Sequence, residues 1–420
     1  MSQEKNKYLY PFILVTSLFF LWAFLHNLNP ILIPHLKKAC QLSDTQSAFI
    51  DVAIYIGYFV IAIPAGMYMH RNGYKKGILL GLFLFAIGAL LFIPAGYVRS
   101  YSFFLVALFV FAAGATFLET CANPYVSVLG PQNRSEQRLN FAQSFNGLGA
   151  VTAPIIGSKF ILSGIEYTKE ELQKMSPSDL SAYLQKESSA VILPYGIFAV
   201  VIIFVGLLFL FAKIPEPSVV DDKHHSTVFS FGVLRHRHVA WAVIAQFFYV
   251  AAQVGVGSFF IRFSKFVMDL PEKTAAYRWG YIAMVGFMVG RFTGTYFMRY
   301  IKPARLLSLY AFINIILLLI ALATRGSVAV VAILCVPFFM SIMFPTIFAL
   351  GIKDLGEETK YASSLLVMSI IGGALAPLLM GFISDKTGSM QTAYIVPLCC
   401  FLVVLYFGLK GYKPSVAKSV

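Results

Sequence analysis

The sequence predicts an all-α membrane protein, with twelve transmembrane helices arranged as two pseudo-symmetric six-helix bundles. Three observations lead there. Of 420 residues, 58% are hydrophobic and 12% charged, whereas a soluble domain is nearer a quarter charged; the mean hydropathy is +0.76. Stretches of about 20 apolar residues, enough to cross a hydrocarbon core, fall near 9–34, 46–69, 76–98, 101–128, 138–163, 190–213, 238–266, 276–299, 304–323, 327–350, 358–384 and 391–411. Fragments of the first half also return in the second, at corresponding spans.

The first span closes on His26-Asn27-Leu28-Asn29-Pro30-Ile31-Leu32-Ile33-Pro34. Prolines inside a membrane helix release backbone carbonyls to a ligand or water, and Asn27 is a candidate substrate contact. In the second span Asp51, Tyr55 and Tyr58 share one helical face at i, i+4 and i+7. Asp51 is a candidate ion-coupling residue; lying within a turn or two of the surface, it also reads as a solvated or capping aspartate. The basic loop Gly66-Met-Tyr-Met-His70-Arg71-Asn72-Gly73-Tyr74-Lys75-Lys76 then leads into the third span.

The fourth span, Tyr101 to Val128, carries a single charged residue, Glu119. A charge at bilayer depth costs roughly 2.5–3.5 kcal/mol on insertion scales, so it implies a proton relay, an ion site or a substrate path. Desolvation favours the neutral form of a carboxyl. Such a group can hold a proton in one conformation and release it when another admits water, so Glu119 is the leading ion-coupling candidate. Asn123 stands one turn away on the same face. A structural ion pair with Lys159 or Arg138 is the alternative.

The fifth span places Asn140, Gln143 and Asn146 at every third position, and the seventh repeats the pattern with Gln246, Tyr249 and Gln253. Amides donate and accept, which suits an uncharged, hydroxyl-rich ligand. Tyrosines and Phe145 add faces on which a sugar ring can stack. Asn123, Gln143, Asn146, Gln246, Tyr249 and Gln253 therefore join Asn27 as candidate substrate contacts. Interhelical hydrogen bonding is the other use of such residues. Arg262 and Arg291, the charges of the seventh and eighth spans, are read as snorkelling or structural.

Two longer polar segments remain. In 164–189, Thr168-Lys-Glu-Glu171 has capping-box spacing, and Ser176-Pro177-Ser-Asp179 starts a second short helix. The segment 214–237 divides the chain into an N-terminal bundle (1–213), a cytoplasmic linker and a C-terminal bundle (238–420). The repeat supports this division. Pro124-Tyr-Val-Ser-Val-Leu129-Gly130 matches Pro345-Thr-Ile-Phe-Ala-Leu350-Gly351, and Ala153-Pro154-Ile-Ile-Gly157 matches Ala376-Pro377-Leu-Leu-Met-Gly381. Internal repeats of this kind characterise secondary transporters, with substrate held near the midplane.

The net charge of +14 follows from the positive-inside rule and implies no nucleic-acid partner. Basic residues such as Arg71, Lys75, Lys76, Arg134, Arg138, Arg235 and Arg237 crowd the loops on the side of the termini, which places both termini in the cytoplasm. The apolar start is too long for a cleavable signal and lacks a cleavage site. Cys121, Cys335, Cys399 and Cys400 lie inside spans and Cys40 outside them, which gives no disulfide framework. No phosphate-binding loop, metal spacing or cofactor motif is present, which argues against an ATP-driven pump or an intramembrane enzyme. A sugar sensor that binds without transporting is the remaining rival.

Several of these motifs carry a resemblance. The loop at Gly66–Lys76 resembles the major facilitator signature, with His70 where that signature has aspartate. Ser17-Leu-Phe-Phe-Leu-Trp22, Asn27-Leu-Asn29, Leu118-Glu119-Thr-Cys-Ala-Asn123-Pro124, Gln143-Ser-Phe-Asn146, Gln246-Phe-Phe-Tyr249, Gly290-Arg-Phe-Thr-Gly-Thr295 and Phe344-Pro-Thr-Ile-Phe348 resemble the L-fucose:proton symporter family of the major facilitators. So does Lys174-Met-Ser-Pro-Ser-Asp-Leu-Ser-Ala-Tyr183. The likeness implies the major facilitator fold and alternating-access import of a neutral monosaccharide, L-fucose first with glucose, galactose or an N-acetylhexosamine as alternatives, together with a coupling cation, a proton first and sodium as the alternative. It further implies a monomer in the inner membrane, with Glu119 as the proton-linked glutamate and Asn146 as the cavity asparagine. One departure stands out. The family has an aspartate directly after the Asn-Leu-Asn of the first helix, and this chain has Pro30. Asp51 stands where an amide is expected, so the acid is expected to have moved from the first helix to the second.

Overall fold

The computed structural model describes residues 2–28, 36, 39–42, 44–161, 171, 174–216 and 230–414. Each predicted span falls wholly or in part on helix. In the first half these are α1 (Ser2–His26), α2 (Asp44–Val98), α3 (Tyr101–Val128), α4 (Ser135–Ile161), the short α5 (Pro177–Ser189) and α6 (Ile192–Phe211). The second half contains α7 (Arg237–Met268), α8 (Glu272–Arg278), α9 (Val285–Phe297), α10 (Pro303–Ala323), α11 (Gly326–Met340), α12 (Met343–Gly351), α13 (Thr359–Met368), α14 (Gly372–Thr387) and α15 (Ile395–Tyr406). Among the described residues, eight helical stretches are long and apolar enough to cross a membrane.

Local chemistry sets the breaks. The second and third spans, grouped here as α2, are two helices divided at Gly73, whose φ of 84° is a conformation that favours glycine. The carboxylate of Glu216, beyond α6, sits against this break and accepts the N–H groups of Tyr74 (3.0 Å) and Lys75 (2.8 Å). In return Lys75 Nζ donates to the carbonyls of Leu210 and Ala212 at the end of α6, where a cation suits the helix dipole. We call this the linker end of the bundle. At the opposite end Ser176 caps α5 by accepting from the Asp179 N–H, as its Ser-Pro start predicts; the capping box at Thr168 lies outside the described residues.

The tenth span is broken where its sequence repeat in α3 is continuous. Pro345 has no N–H to give the carbonyl four residues back, that of Ser341. The chain turns at Ser341–Ile342 between α11 and α12, so carbonyls there look elsewhere for donors. A π-helical turn, Trp279–Met284, joins α8 to α9.

Helices of the first half pack closely through small residues. A Cβ on Gly114 of α3 would run into the Phe85 backbone of α2, and one on Gly88 would meet Phe111 at 2.5 Å. The two halves of the chain touch at the linker end. Glu136 pairs with Lys353 Nζ (3.1 Å), Gln137 donates to the Thr295 carbonyl, and Asn140 donates to Thr346 Oγ1. His70 and Tyr361 rings lie 4.8 Å apart, and Gly66 faces Ser364. Cys335 and Cys399 are exposed, since their sides of the helices carry no protein over them, and Cys40 is half-buried.

Candidate functional site

Glu119 lies in the buried part of α3, 8% exposed. The hydroxyl of Tyr58, buried on α2, hydrogen-bonds its carboxylate, and the basic group that acts on it is Arg291 of α9. The expected alternatives do not hold it. Arg138 spends its guanidinium on the carbonyls of Val126, Ser127 and Pro131, and the Lys159 side chain lies outside the described residues.

One turn along α3, Asn123 is fully buried and its Oδ1 accepts from Gln143 Nε2 at 3.0 Å. Gln143 in turn meets Arg291, whose Nη1 donates to the Gln143 carbonyl, to Gln143 Oε1 (3.3 Å) and to Asn146 Oδ1 (3.1 Å). Its Nε donates to the Ser341 carbonyl at 2.9 Å, the group that Pro345 leaves without a helical donor. The guanidinium also lies over the Phe287 ring. Tyr249 uses the same break, since its hydroxyl donates to the Met340 carbonyl at 3.1 Å. A polar chain therefore runs from Asn123 through Gln143 and Asn146 to Arg291 and the broken tenth span, joining the two halves beside Glu119.

Other candidates fall apart from this chain. Gln246 is fully buried, and neither atom of its amide has a partner among the described residues. Asn123 Nδ2 is in the same state. Buried amides normally find partners; the Asn314 amide and Asn140 Oδ1 likewise have none among the described residues. Gln253 is half-buried two turns beyond Gln246. Asn27 turns back on its own helix, its Nδ2 donating at 2.7 Å to the Ala23 carbonyl, which also accepts the Asn27 N–H. Asn140 ties α4 to α12 through Thr346. The Asp51 side chain and Asn29 and Pro30 lie outside the described residues.

Arg291 is the residue that the sequence reading passed over. A basic residue in a span reads as snorkelling, yet this one is 4% exposed. The available signal was its setting, Gly290-Arg-Phe-Thr-Gly294. Both glycines sit hard against the tenth span, Gly290 on the Phe338 backbone and Gly294 on Ile342, which holds the arginine inside the bundle.

A carboxylate buried within a membrane span, as Glu119 is, beside a polar chain that joins the two halves is the make-up of a transporter core. Comparison with known proteins agrees. Residues 12–369 match the Major Facilitator Superfamily, and the chain belongs to that superfamily. The L-fucose-proton symporter of Escherichia coli (strain K12) is 44% identical over 96% of this chain and 93% of its own. The glucose/galactose transporter of Brucella abortus biovar 1 (strain 9-941) is 40% identical over 98% of this chain and 96% of its own. A crystal structure of FucP, a Major Facilitator Superfamily transporter in the outward conformation, superposes with a TM-score of 0.88 at 44% identity, covering 96% of this chain and 98% of that one.

Proposed function

We propose that this protein is a proton-coupled symporter that carries a neutral monosaccharide, L-fucose first, into the cell by alternating access. The observation that carries the reading is Glu119, buried between the Tyr58 hydroxyl and the field of Arg291. As a carboxylate it attracts Arg291 across the junction of the two halves. Taking up a proton removes that attraction and loosens the junction, so opening at the linker end becomes linked to proton binding. Gln246, Asn123, Gln143 and Asn146 supply the amides for sugar hydroxyls, with Tyr249 and Gln253 beside them. Contacts at the linker end support an outward-facing state, and the 44% relative named as an L-fucose-proton symporter supports the substrate.

In this reading residues 1–213 and 238–420 are the two rocking bundles and 214–237 their cytoplasmic linker. Both termini face the cytoplasm, and a monomer in the inner membrane suffices. Asp51 is a second proton group that takes over from the acid replaced by Pro30. A hexose such as glucose or galactose is the second reading for the substrate, favoured by the 40% identical relative that bears those sugars in its name.

The test is uptake of labelled L-fucose, glucose and galactose into proteoliposomes, under an imposed proton gradient and then a sodium gradient. We expect proton-driven accumulation of L-fucose. Glu119→Gln should abolish accumulation while leaving sugar exchange across the membrane. Sodium-driven uptake by the unaltered protein would replace the proton with a metal ion at Glu119 and Asp51. Binding with no movement of any sugar would make the protein a sensor.

A further inference from the structure

On the flank of the linker end, where α1 and α4 of the first half meet α9 and the turn into α10, a cleft of about 880 Å³ opens. Phe12, Arg134 and Phe141 line it from one side, and Met298, Arg299 and Pro303 from the other. Arg134 and Arg299 are both exposed, and no carboxylate among the described residues pairs with either. The carboxylate at the cleft, Glu136, is buried and already taken by Lys353 Nζ and the Ser135 hydroxyl. The rim therefore presents two arginines with no counter-charge.

Behind the rim the surface is aromatic. Phe12 stacks on Phe141 at 6.0 Å, Phe141 meets Phe145 at 5.7 Å, and Phe145 meets Phe292 at 6.5 Å. Phe141 and Phe292 are each 41% exposed, so the strip continues uncovered from the cleft along the seam between α4 and α9. Cations at a helix end above an apolar seam match an amphiphile with an anionic head, and the arginine fork matches phosphate oxygens.

We propose that this cleft binds an anionic phospholipid, with its phosphate between Arg134 and Arg299 and an acyl chain on the Phe141–Phe145–Phe292 strip. Because the two arginines belong to different halves, the bound lipid bridges them at the end where they touch and favours this conformation. A zwitterionic lipid offers the same phosphate and chains, but its ammonium group opposes the arginines.

Native mass spectrometry of the full-length protein, in detergent with equal phosphatidylglycerol and phosphatidylcholine and no sugar, tests this independently of transport. The expected result is preferential retention of phosphatidylglycerol, falling about fivefold for each arginine removed in Arg134→Gln and Arg299→Gln and further in the double variant. Should the double variant not fold, the single variants give the same ratio. Equal retention of the two lipids, or unchanged phosphatidylglycerol retention in the variants, overturns the proposal. Displacement of the lipid by equimolar glycerophosphate also overturns it, since the site would then take a free anion.

Discussion

Arg291 shows how one side chain can depend on geometry more than on charge. Its Nε and Nη1 reach Ser341, Gln143 and Asn146 at once, which a planar fork manages and an ammonium does not. Hydrogen bonds to a charged group are worth about 1.5–3 kcal/mol each. Arg291→Lys keeps the charge and loses at least one such bond, so initial uptake should fall about tenfold or more; an uptake rate equal to the parent's would show that charge alone is enough. Gln246→Leu removes an amide with no described partner, so it should preserve thermal stability while weakening sugar binding. Calorimetric titration with L-fucose reads the second effect and a melting curve the first. Glu119 was legible in the sequence because it is the lone charge of its span. Arg291 was not, because its partners Gln143 and Asn146 stand 148 and 145 positions away in the chain.

At the scale of elements, proline and glycine decide where the helices yield and where they press together. Pro345 denies the Ser341 carbonyl its helical donor, and Arg291 takes that place. Pro345→Ala restores an N–H that competes with Arg291, so transport should drop several-fold with helicity by circular dichroism unchanged; undiminished uptake would mean that Arg291 does not need that carbonyl. Gly114 fails differently. Gly114→Val drives a branched side chain into the Phe85 backbone, and overpacking of a tight contact costs about 1–3 kcal/mol or more, so the folded yield in detergent should fall. Span positions were readable from apolar length, since lipid demands about 20 such residues in a row. The break in the tenth span was hidden, because the matching Pro124 in α3 leaves that helix continuous. The sequence reads the second and third spans as separate helices, and the non-helical backbone at Gly73 does divide α2 into two.

For the whole molecule, alternating access requires the linker end to part. Glu136→Cys with Lys353→Cys replaces an ion pair that joins the two halves there. A reducible bifunctional thiol cross-linker spanning this pair should stop uptake and a reductant restore it, with the parent protein as control. Continued uptake by fully cross-linked protein would mean that the halves do not separate at this end. The internal repeat was visible in the Pro124 and Pro345 fragments, while the contacts between halves were not, since they form between residues some 150 to 300 positions apart, as with Gln137 and Thr295 or Gly66 and Ser364.

The grip of Glu216 on Tyr74 and Lys75 also fixes where the tether between the halves is rooted. From that peg to Ser230 the chain takes fourteen peptide steps, which at full stretch spans about 46–50 Å. The contacts that join the halves, Glu136 with Lys353 and Gln137 with Thr295, do not run through this tether. Its contribution is to keep each half at high effective concentration around the other. The two halves expressed as separate chains should therefore assemble and transport, less efficiently, wherever both reach the same membrane.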